Sequence, residues 1–518
     1  VAKKKKPKQR STQLLHTVKG PFNFQIHSFL GDIQGCGTIR VIYPCLLLNH
    51  FRMDKKKISF YSSYGSYYIQ DVEFYKKLFL IQFQRSATKT HLDIFTHFTN
   101  TIKKQTNTSI VYEIDDLLIG IPEWNYASEY YSQLVPYIEK MMGMADGIVC
   151  STEKLREVYS KYNKNISVIP NHLPKFIWGD IYPKHLYEPR EKRPKILWAG
   201  SQNHFTQKHM YEKGIKGGDF SSKLLDFIRK TTDKYQWVFS GGLPIELNGI
   251  KNKLEVHPWK NVFSYAQHIK DVDADFWVVP LEQGLFNDCK SNIKLLEISA
   301  CGCPGVYSVA EPYKNAYLQA ATDEEMIAHI EALADSIDLR KKTFEHDYNT
   351  VKPNLWWEEN QNLKKYVNSY LRLFFEENDN KAKRIVSHFF QSRGYKVIEN
   401  PDKFGIDLQI FNNNKLPYLC ECECEIKLVW KTYRFPYSTV QFPERKKKFI
   451  KTKVIFTMIN KSSTRMLFVK AKDMLNSPLC EVPNKYIASG ENFFQVPLEK
   501  VYFLSLKEDK CQKREERP

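Results

Sequence analysis

The sequence predicts an α/β protein, with two doubly wound domains in series followed by a smaller α+β domain. Three observations carry this. The chain has 518 residues, too many for one ordinary domain and suited to about three. Apolar strand-like runs alternate with helix-like stretches, twice over. The segment EENDNKAKR (376–384) then breaks the pattern, and beyond it one helix precedes a series of strands.

The first series starts at Phe22. FNFQIHSFL, ISFYSSY, LFLIQFQ, SIVYEID, GIVCST and ISVIPN are its strands, and Leu92–Lys104 and Tyr126–Met144 are among its helices. The second starts at Pro194. KILWAGS, YQWVFSGG, LEVHPW, DFWVVPL and PGVYSV are its strands, and SSKLLDFIRKTT, SYAQHIKDV and KSNIKLLEISACG its helices. Such a βα rhythm predicts a mostly parallel sheet covered on both faces. The joint is rich in Pro, Tyr and charge (KFIWGDIYPKHLYEPREKRP), as in a linker. An amphipathic stretch, Asn354–Glu377, closes the second series. In the last region a helix over Lys381–Arg393 precedes the strands YKVIEN, IDLQIF, YLCECECEIKLVW, KVIFTMI, RMLFVK and VYFLSL. The expected units are a basic tail (1–12), two Rossmann-like domains (13–175 and 176–377), an α+β domain (378–506) and a charged tail (507–518).

Net charge is +19, and it is unevenly placed: residues 1–10 contribute +6 and residues 378–518 contribute +11. Basic patches of this kind suit polyanions, nucleic acid first; a solubilising tail and a basic surface without a partner would look the same. No window approaches the ~18 apolar residues of a membrane span, and no apolar run follows the basic start as a secretory signal would require. Eleven scattered cysteines argue for reduced thiols in a cytoplasmic compartment, the host cytoplasm for a viral protein. Neither GxGxxG nor GxxxxGK[ST] occurs, which disfavours a nicotinamide or Walker-type nucleotide site.

Several motifs resemble, in order, those of GT-B glycosyltransferases of phages and bacteria. GCGTIRVIYPCLLLN (35–49) is similar to the glycine turn and helix of their acceptor domain, VYEIDDLL (111–118) to its strand-end acidic motif, and ADGIVCSTE with ISVIPN to its end. ILWAGS (196–201) resembles the first strand and turn of the donor domain, and PLEQGLFNDCKSNIKLLEISACGCPGVYS (280–308) its nucleotide-sugar motif. The resemblance covers roughly residues 20–375. It implies a nucleotide-sugar donor, a UDP-sugar first, with Glu297 holding the ribose hydroxyls. Lys290 and Lys294, with helix N-terminal amides near Ser291, would neutralise the diphosphate leaving group. Gly200, Ser201 and Gly241 follow strands, where a tight turn lets backbone approach a ligand. Many retaining members carry a second Glu eight residues before the ribose Glu; here that position is Cys289, so its role would fall to Asn287, Asp288 or Lys290, or be absent. Asp115 and Asp116 end an acceptor-side strand. One of them could orient or deprotonate the acceptor hydroxyl, or Asp116 could simply cap the following turn. Arg40 and Arg85 could offer charge to the cleft or serve packing.

YLCECECEIK (418–427) alternates strictly, as a β-strand does. Glu421, Glu423, Glu425 and Lys427 then share one face, and the cysteines the other. The C-x-C-x-C spacing does not suit zinc. Asp407, followed by Glu425-Ile426-Lys427, resembles the PD-(D/E)xK nuclease pattern. That resemblance implies Asp407 and Glu425 as Mg²⁺ ligands, Lys427 positioning the attacking water and Glu423 replacing or assisting Glu425. A solvated acidic face is the alternative. The basic run ERKKKFIKTK (444–453) would suit phosphate contact.

Four functions fit: a glycosyltransferase acting on a modified base in DNA, one acting on a glycan, lipid or protein, a Mg²⁺-dependent nuclease with a sugar-transferase-like reader, and a non-catalytic DNA-binding protein.

Overall fold

The computed structural model describes residues 22–506, except 50–51, 54–57, 66–73, 76–77, 104–107, 181–192, 401–404, 412–417, 425–429, 431–434, 451–452, 461–462 and 483–490. The basic tail, the charged tail, Glu425 and Lys427 lie outside the described residues.

The first sheet is built from β1 (Phe22–Phe29), β2 (Arg52–Met53), β3 (Ile58–Gly65), β4 (Leu80–Gln84), β5 (Ser109–Ile114), β6 (Gly147–Cys150) and β7 (Ile166–Val168), in the order β2-β3-β1-β4-β5-β6-β7. All pairs are parallel except the β2–β3 edge. Every residue of β4, β5 and β6 is buried, as expected of strands covered on both faces. The second sheet takes β8 (Lys195–Ala199), β9 (Gln236–Gly241), β10 (Glu255–Pro258), β11 (Phe276–Val279), β12 (Gly305–Ser308) and β13 (Gln319–Ala320) in the order β10-β9-β8-β11-β12-β13, all parallel. Both sheets are therefore of the predicted Rossmann-like kind. The two-residue β13 is too short to show a pattern in sequence.

Two helices differ from expectation. The stretch Tyr126–Met144 forms two helices, Ala127–Ser132 and Val135–Met144. Pro136 lacks an N–H and is accommodated only in a first turn, so the second helix has to start there. The larger difference concerns the boundary placed at 377/378. One 30-residue helix, Asn362–Gln391, runs straight through it, about 45 Å long. The Asn-Asp-Asn run that reads as a break lies inside this helix. Its first half buries Leu363, Tyr366, Val367, Tyr370 and Leu373 against Ile26, Leu80, Val111 and Val149 of the first sheet. Tyr370 Oη donates to Gln82 Oε1 at 2.5 Å, and Arg372 reaches Ile166 O. Its last turns bury Ala382, Val386 and Phe389 in the third domain. The amphipathic stretch thus returns from the second domain to the first and then enters the third.

The third domain adds β14 (Lys396–Glu399), β15 (Leu408–Phe411), β16 (Tyr418–Cys424), β17 (Thr439–Pro443), β18 (Val454–Ile459), β19 (Arg465–Lys470), β20 (Leu479–Val482), β21 (Glu491–Pro497) and β22 (Tyr502–Ser505). A six-stranded sheet, β14-β15-β16-β18-β19-β22, is antiparallel except at β16–β18. A separate β17-β21-β20 sheet closes its far side. Cys420 is fully buried under the long helix, and its neighbour Glu421 on the other face is buried as well. No helix among the described residues is long and apolar enough to cross a membrane.

Two buried imidazoles link this packing to pH. His172 is 3% exposed, donates Nδ1–H to Asn354 O at 2.6 Å and packs on Trp357. His27, also 3% exposed, sits among Phe29, Phe74 and Tyr75. Burial lowers both from 6.5 to about 4. Between those values the unfolded chain binds protons that the folded chain refuses. Stability is therefore full above about pH 6.5 and falls as pH drops toward 4, by about 3 kcal/mol per histidine at the limit. The urea midpoint should fall from pH 7.5 to pH 5, and less steeply in the His27→Gln/His172→Gln variant.

Candidate active site

The carboxyl ends of both sheets face one another, and the polar residues there come from loops that follow strands. Gly241 takes φ +96°, and a Cβ on it would stand 2.4 Å from Gly200 O. The two glycine turns after β8 and β9 therefore touch, held by the Gly200 N–H to Ser240 O bond at 3.0 Å. Ser201 caps the short Gln202–His204 turn through Asn203 N.

Glu297 lies on the Ile293–Ala300 helix and is 5% exposed. Its Oε2 accepts from Lys294 Nζ at 2.7 Å and from Tyr265 Oη at 3.1 Å, and Lys294 Nζ also reaches Tyr265 Oη at 3.1 Å. Oε1 accepts no hydrogen bond among the described residues, so one carboxylate oxygen is committed to holding the side chain and the other is left for a ligand. Removing the Tyr265 hydroxyl takes away one hydrogen bond to a charged group. Tyr265→Phe should therefore raise the KM for a nucleotide-sugar donor about 10-fold, with a smaller effect on kcat. The first turn of this helix carries no side-chain cap, which leaves its amides open to an anion.

On the opposite wall Asp115 and Asp116 directly follow β5 and are partly exposed. Arg85 takes φ +48°, a left-handed conformation uncommon outside glycine. Its Nη1 donates to Asp115 Oδ1 at 3.2 Å and to Cys36 Sγ at 2.9 Å. Asp116 Oδ1 accepts from Leu117 N at 3.0 Å, the local cap that the sequence allows. Burial raises the Asp116 pKa, and the charges of Arg85 and Lys290 oppose that rise. Lys290 belongs to the other domain, so the Asp116 carboxyl and the Lys290 ammonium interact across the cleft. This brings together the acidic pair and the Lys290–Glu297 segment that the sequence singles out.

Polar bridges tie the walls. Ser291 Oγ accepts from Asn171 Nδ2 at 2.8 Å, so the side chain of this residue, expected at the donor for its backbone amide, is engaged between the domains. Asn171 in turn accepts from Arg40 Nη1 at 2.8 Å, and Arg40 Nε pairs with Glu113 at 2.7 Å in the core of the first domain. Arg40 is thus a buried structural cation rather than a free cleft charge. Thr152 Oγ1 donates to Cys289 O at 3.1 Å, and Trp124 Nε1 donates to Glu282. Trp124 reaches it by lying on Gly217, where a Cβ would come within 2.3 Å of the indole.

Asp288 is turned away and accepts from Glu311 N, while Cys289 is fully buried. Of the residues near the position of the missing second Glu, Lys290 is the one that acts across the cleft on Asp116. Sequence reasoning missed Asp219 and His204, which stand beside it. Asp219 follows Gly217-Gly218, and His204 lies four residues after Gly200. Polar residues placed just after glycine turns were the available signal.

In the third domain Leu408 pairs with Cys420, and the same antiparallel register sets Asp407 beside Glu421, four residues before Glu425. Asp407 pairs with Lys383 at 2.9 Å, and Glu421, 6% exposed, pairs with Lys446. Glu421, unnamed in the expected ligand set, is thus the carboxylate that the register places next to Asp407. Among the described residues no three His, Cys, Asp or Glu gather as a metal-ligand set. Each of the two neighbouring carboxylates has a lysine partner instead.

No family model and no curated protein matches the chain. Solved structures do. A glycosyltransferase from Rickettsia africae ESF-5 matches at 14% identity and TM-score 0.44, covering 68% of this chain and 98% of that one. An alpha-glucosyltransferase in complex with UDP-glucose and DNA containing an abasic site matches at 12% identity and TM-score 0.44, covering 68% and 100%. The pneumococcal O-GlcNAc transferase GtfA, in complex with UDP and GlcNAc, matches at 13% identity and TM-score 0.35, covering 57% and 56%. At these scores the likenesses carry no weight for activity, which rests on the residues of the cleft.

Proposed function

We propose that this protein is a glycosyltransferase that moves a sugar from a nucleotide-sugar donor, a UDP-sugar first, to an acceptor hydroxyl. The observation that carries the reading is Glu297, a buried carboxylate fixed through one oxygen by Lys294 and Tyr265, on a helix whose start carries no side-chain cap. The free oxygen suits a ribose hydroxyl. The helix amides, Lys290 and Lys294 suit the diphosphate, stabilising negative charge as the donor bond breaks. Asp115 or Asp116 then orients the acceptor hydroxyl or takes its proton. Asp115 is held by Arg85, which suits it to orienting; Asp116 is the better placed to bind a proton, because burial raises its pKa.

The acceptor in this reading is a modified base in DNA, gripped by the basic third domain. The +11 of residues 378–518 supports nucleic-acid binding, and a base in duplex DNA would have to flip into the cleft. A glycan, lipid or protein acceptor is the alternative. Transfer assays with hydroxymethylated duplex DNA, unmodified DNA and non-nucleic acceptors separate them. Sugar incorporated into hydroxymethylated DNA alone supports the DNA reading, and transfer indifferent to DNA contradicts it.

A second reading, a Mg²⁺-dependent nuclease with a sugar-transferase-like reader, draws on the third domain. A helix, a three-strand antiparallel meander and a crossover to a parallel strand set Asp407 beside Glu421. Mg²⁺-dependent cleavage of plasmid DNA that vanishes in both Asp407→Ala and Lys427→Ala, without sugar turnover, would favour it.

A further inference from the structure

Asp219 is buried at 4% exposure, and both of its carboxylate oxygens are engaged. Its Oδ1 accepts from Glu282 N and Asn287 Nδ2, both at 3.0 Å. Its Oδ2 accepts from His204 Nδ1 at 2.5 Å and lies 3.9 Å from Lys290 Nζ. These contacts hold the Asp219 pKa below its usual value against the opposing effect of burial. An ionised carboxylate can only accept, so Nδ1 of His204 must carry the proton.

That fixes the other side of the ring. The His204 side chain is 23% exposed. Its Cδ2, on the side of the ring away from Nδ1, lies 3.2 Å from where a Cβ on Gly200 would stand, so that side of the ring borders the glycine turn after β8. The opposite edge is tied to Asp219, and Trp198 packs against the ring edge to face. The charged groups facing the ring are Asp219 from the loop before the Ser222–Lys230 helix, Lys290 from the loop before the Ile293–Ala300 helix, and Lys294 from that helix. Glu282, after β11, faces Asp219 from behind. Burial and the two lysines lower the His204 pKa and favour the neutral imidazole, with Asp219 opposing them. An anion arriving between Lys290 and the glycine turn would cancel the lysine effect and favour the imidazolium.

We propose that His204, held by Asp219, is a positioning residue for the donor diphosphate: Nε2 takes up a proton from solvent as the diphosphate binds and donates it in a hydrogen bond to a phosphate oxygen. The Nε2–H bond formed on uptake is the one covalent change, and it breaks again as the proton returns to solvent when the nucleoside diphosphate leaves. The inference rests on the nucleotide-sugar reading and adds to it a pH-sensitive contact that the Gly200–Glu297 motifs do not contain.

Isothermal titration of UDP into the full chain, in two buffers of different ionisation enthalpy at pH 7.5, tests it. Wild type should bind UDP with net proton uptake. His204→Gln keeps a polar side chain that cannot titrate, so it should bind about 10-fold more weakly and without uptake. Lys290→Met should also bind more weakly and with smaller proton uptake, because the imidazole then starts with less positive charge beside it. Uptake that persists in His204→Gln overturns the inference while leaving the donor reading intact. Wild type that binds neither UDP nor other nucleoside diphosphates sinks the donor reading and the inference with it. A His204→Gln chain that fails to fold leaves wild type as the readout, where binding without proton uptake is the overturning result.

Discussion

Glu297→Ala should lower kcat/KM for the sugar donor by about 10²-fold, equivalent to about 3 kcal/mol. The loss has two parts. A carboxylate oxygen that would accept from ribose disappears, and Lys294 loses the partner that holds it at 2.7 Å. Glu297→Gln keeps an acceptor for Tyr265 and for one ribose hydroxyl but gives up the charge, so its loss should be smaller, about 10-fold. Steady-state kinetics with varied donor separates these outcomes. If donor KM and kcat are unchanged in Glu297→Ala, the ribose-clamp role is wrong.

The second large effect is on stability. Arg40→Met should cost about 3–5 kcal/mol. Arg40 is 4% exposed and Glu113 is fully buried, so neither charge can recover water. Arg40 also serves Ile169 O at 2.6 Å and Asn171 Oδ1 at 2.8 Å. Without it, burial pushes the Glu113 pKa further above its ordinary value, because the charge now opposing that rise is Arg40's own. A carboxyl with a raised folded pKa contributes stability below its unfolded pKa and loses it as pH rises. Wild-type Glu113 is already raised to about 7, so both proteins lose stability alike up to that pH, and the Arg40→Met deficit should grow above about pH 7, where only the wild-type carboxyl gives up its proton. Arg40→Met/Glu113→Leu should recover much of the loss, since no charge is then left alone in the core. Urea unfolding of both single variants and the double variant measures the coupling. Additive losses would mean that the pair does not act as a unit.

The two parallel sheets were legible because fully buried strands read as unbroken apolar runs, as in LFLIQFQ and SIVYEI, and because the runs alternate with helical stretches. The same local reading took Asn378–Asn380 for a break, where one helix runs on from Asn362 to Gln391. Asn378, Asp379 and Asn380 are poor helix formers, but the helix is held from both ends by Tyr370 and Leu373 on one side and Ala382 and Val386 on the other, and tertiary packing outweighs propensity. In the cleft, Glu297, Lys290 and Asp116 carried their own motifs. Asp219 and His204 did not, because fifteen residues separate them and only the fold brings the imidazole to the carboxylate. Arg40 is the converse case. Sequence allowed it to be a cleft charge, and a partner 73 positions away at Glu113 makes it part of the core. The Glu421–Asp407 pairing likewise depends on strand register, which alternation alone leaves open by two residues at a time.

The most direct test of the central claim is consumption of nucleotide sugars by the full chain, with a panel of UDP-, GDP- and ADP-sugars presented with and without hydroxymethylated DNA, for wild type and Glu297→Ala. Wild type should consume at least one donor, a UDP-sugar first, and consumption should collapse in the variant. If no donor is consumed under any condition, or if the variant matches wild type, the cleft does not work as a sugar-transfer site.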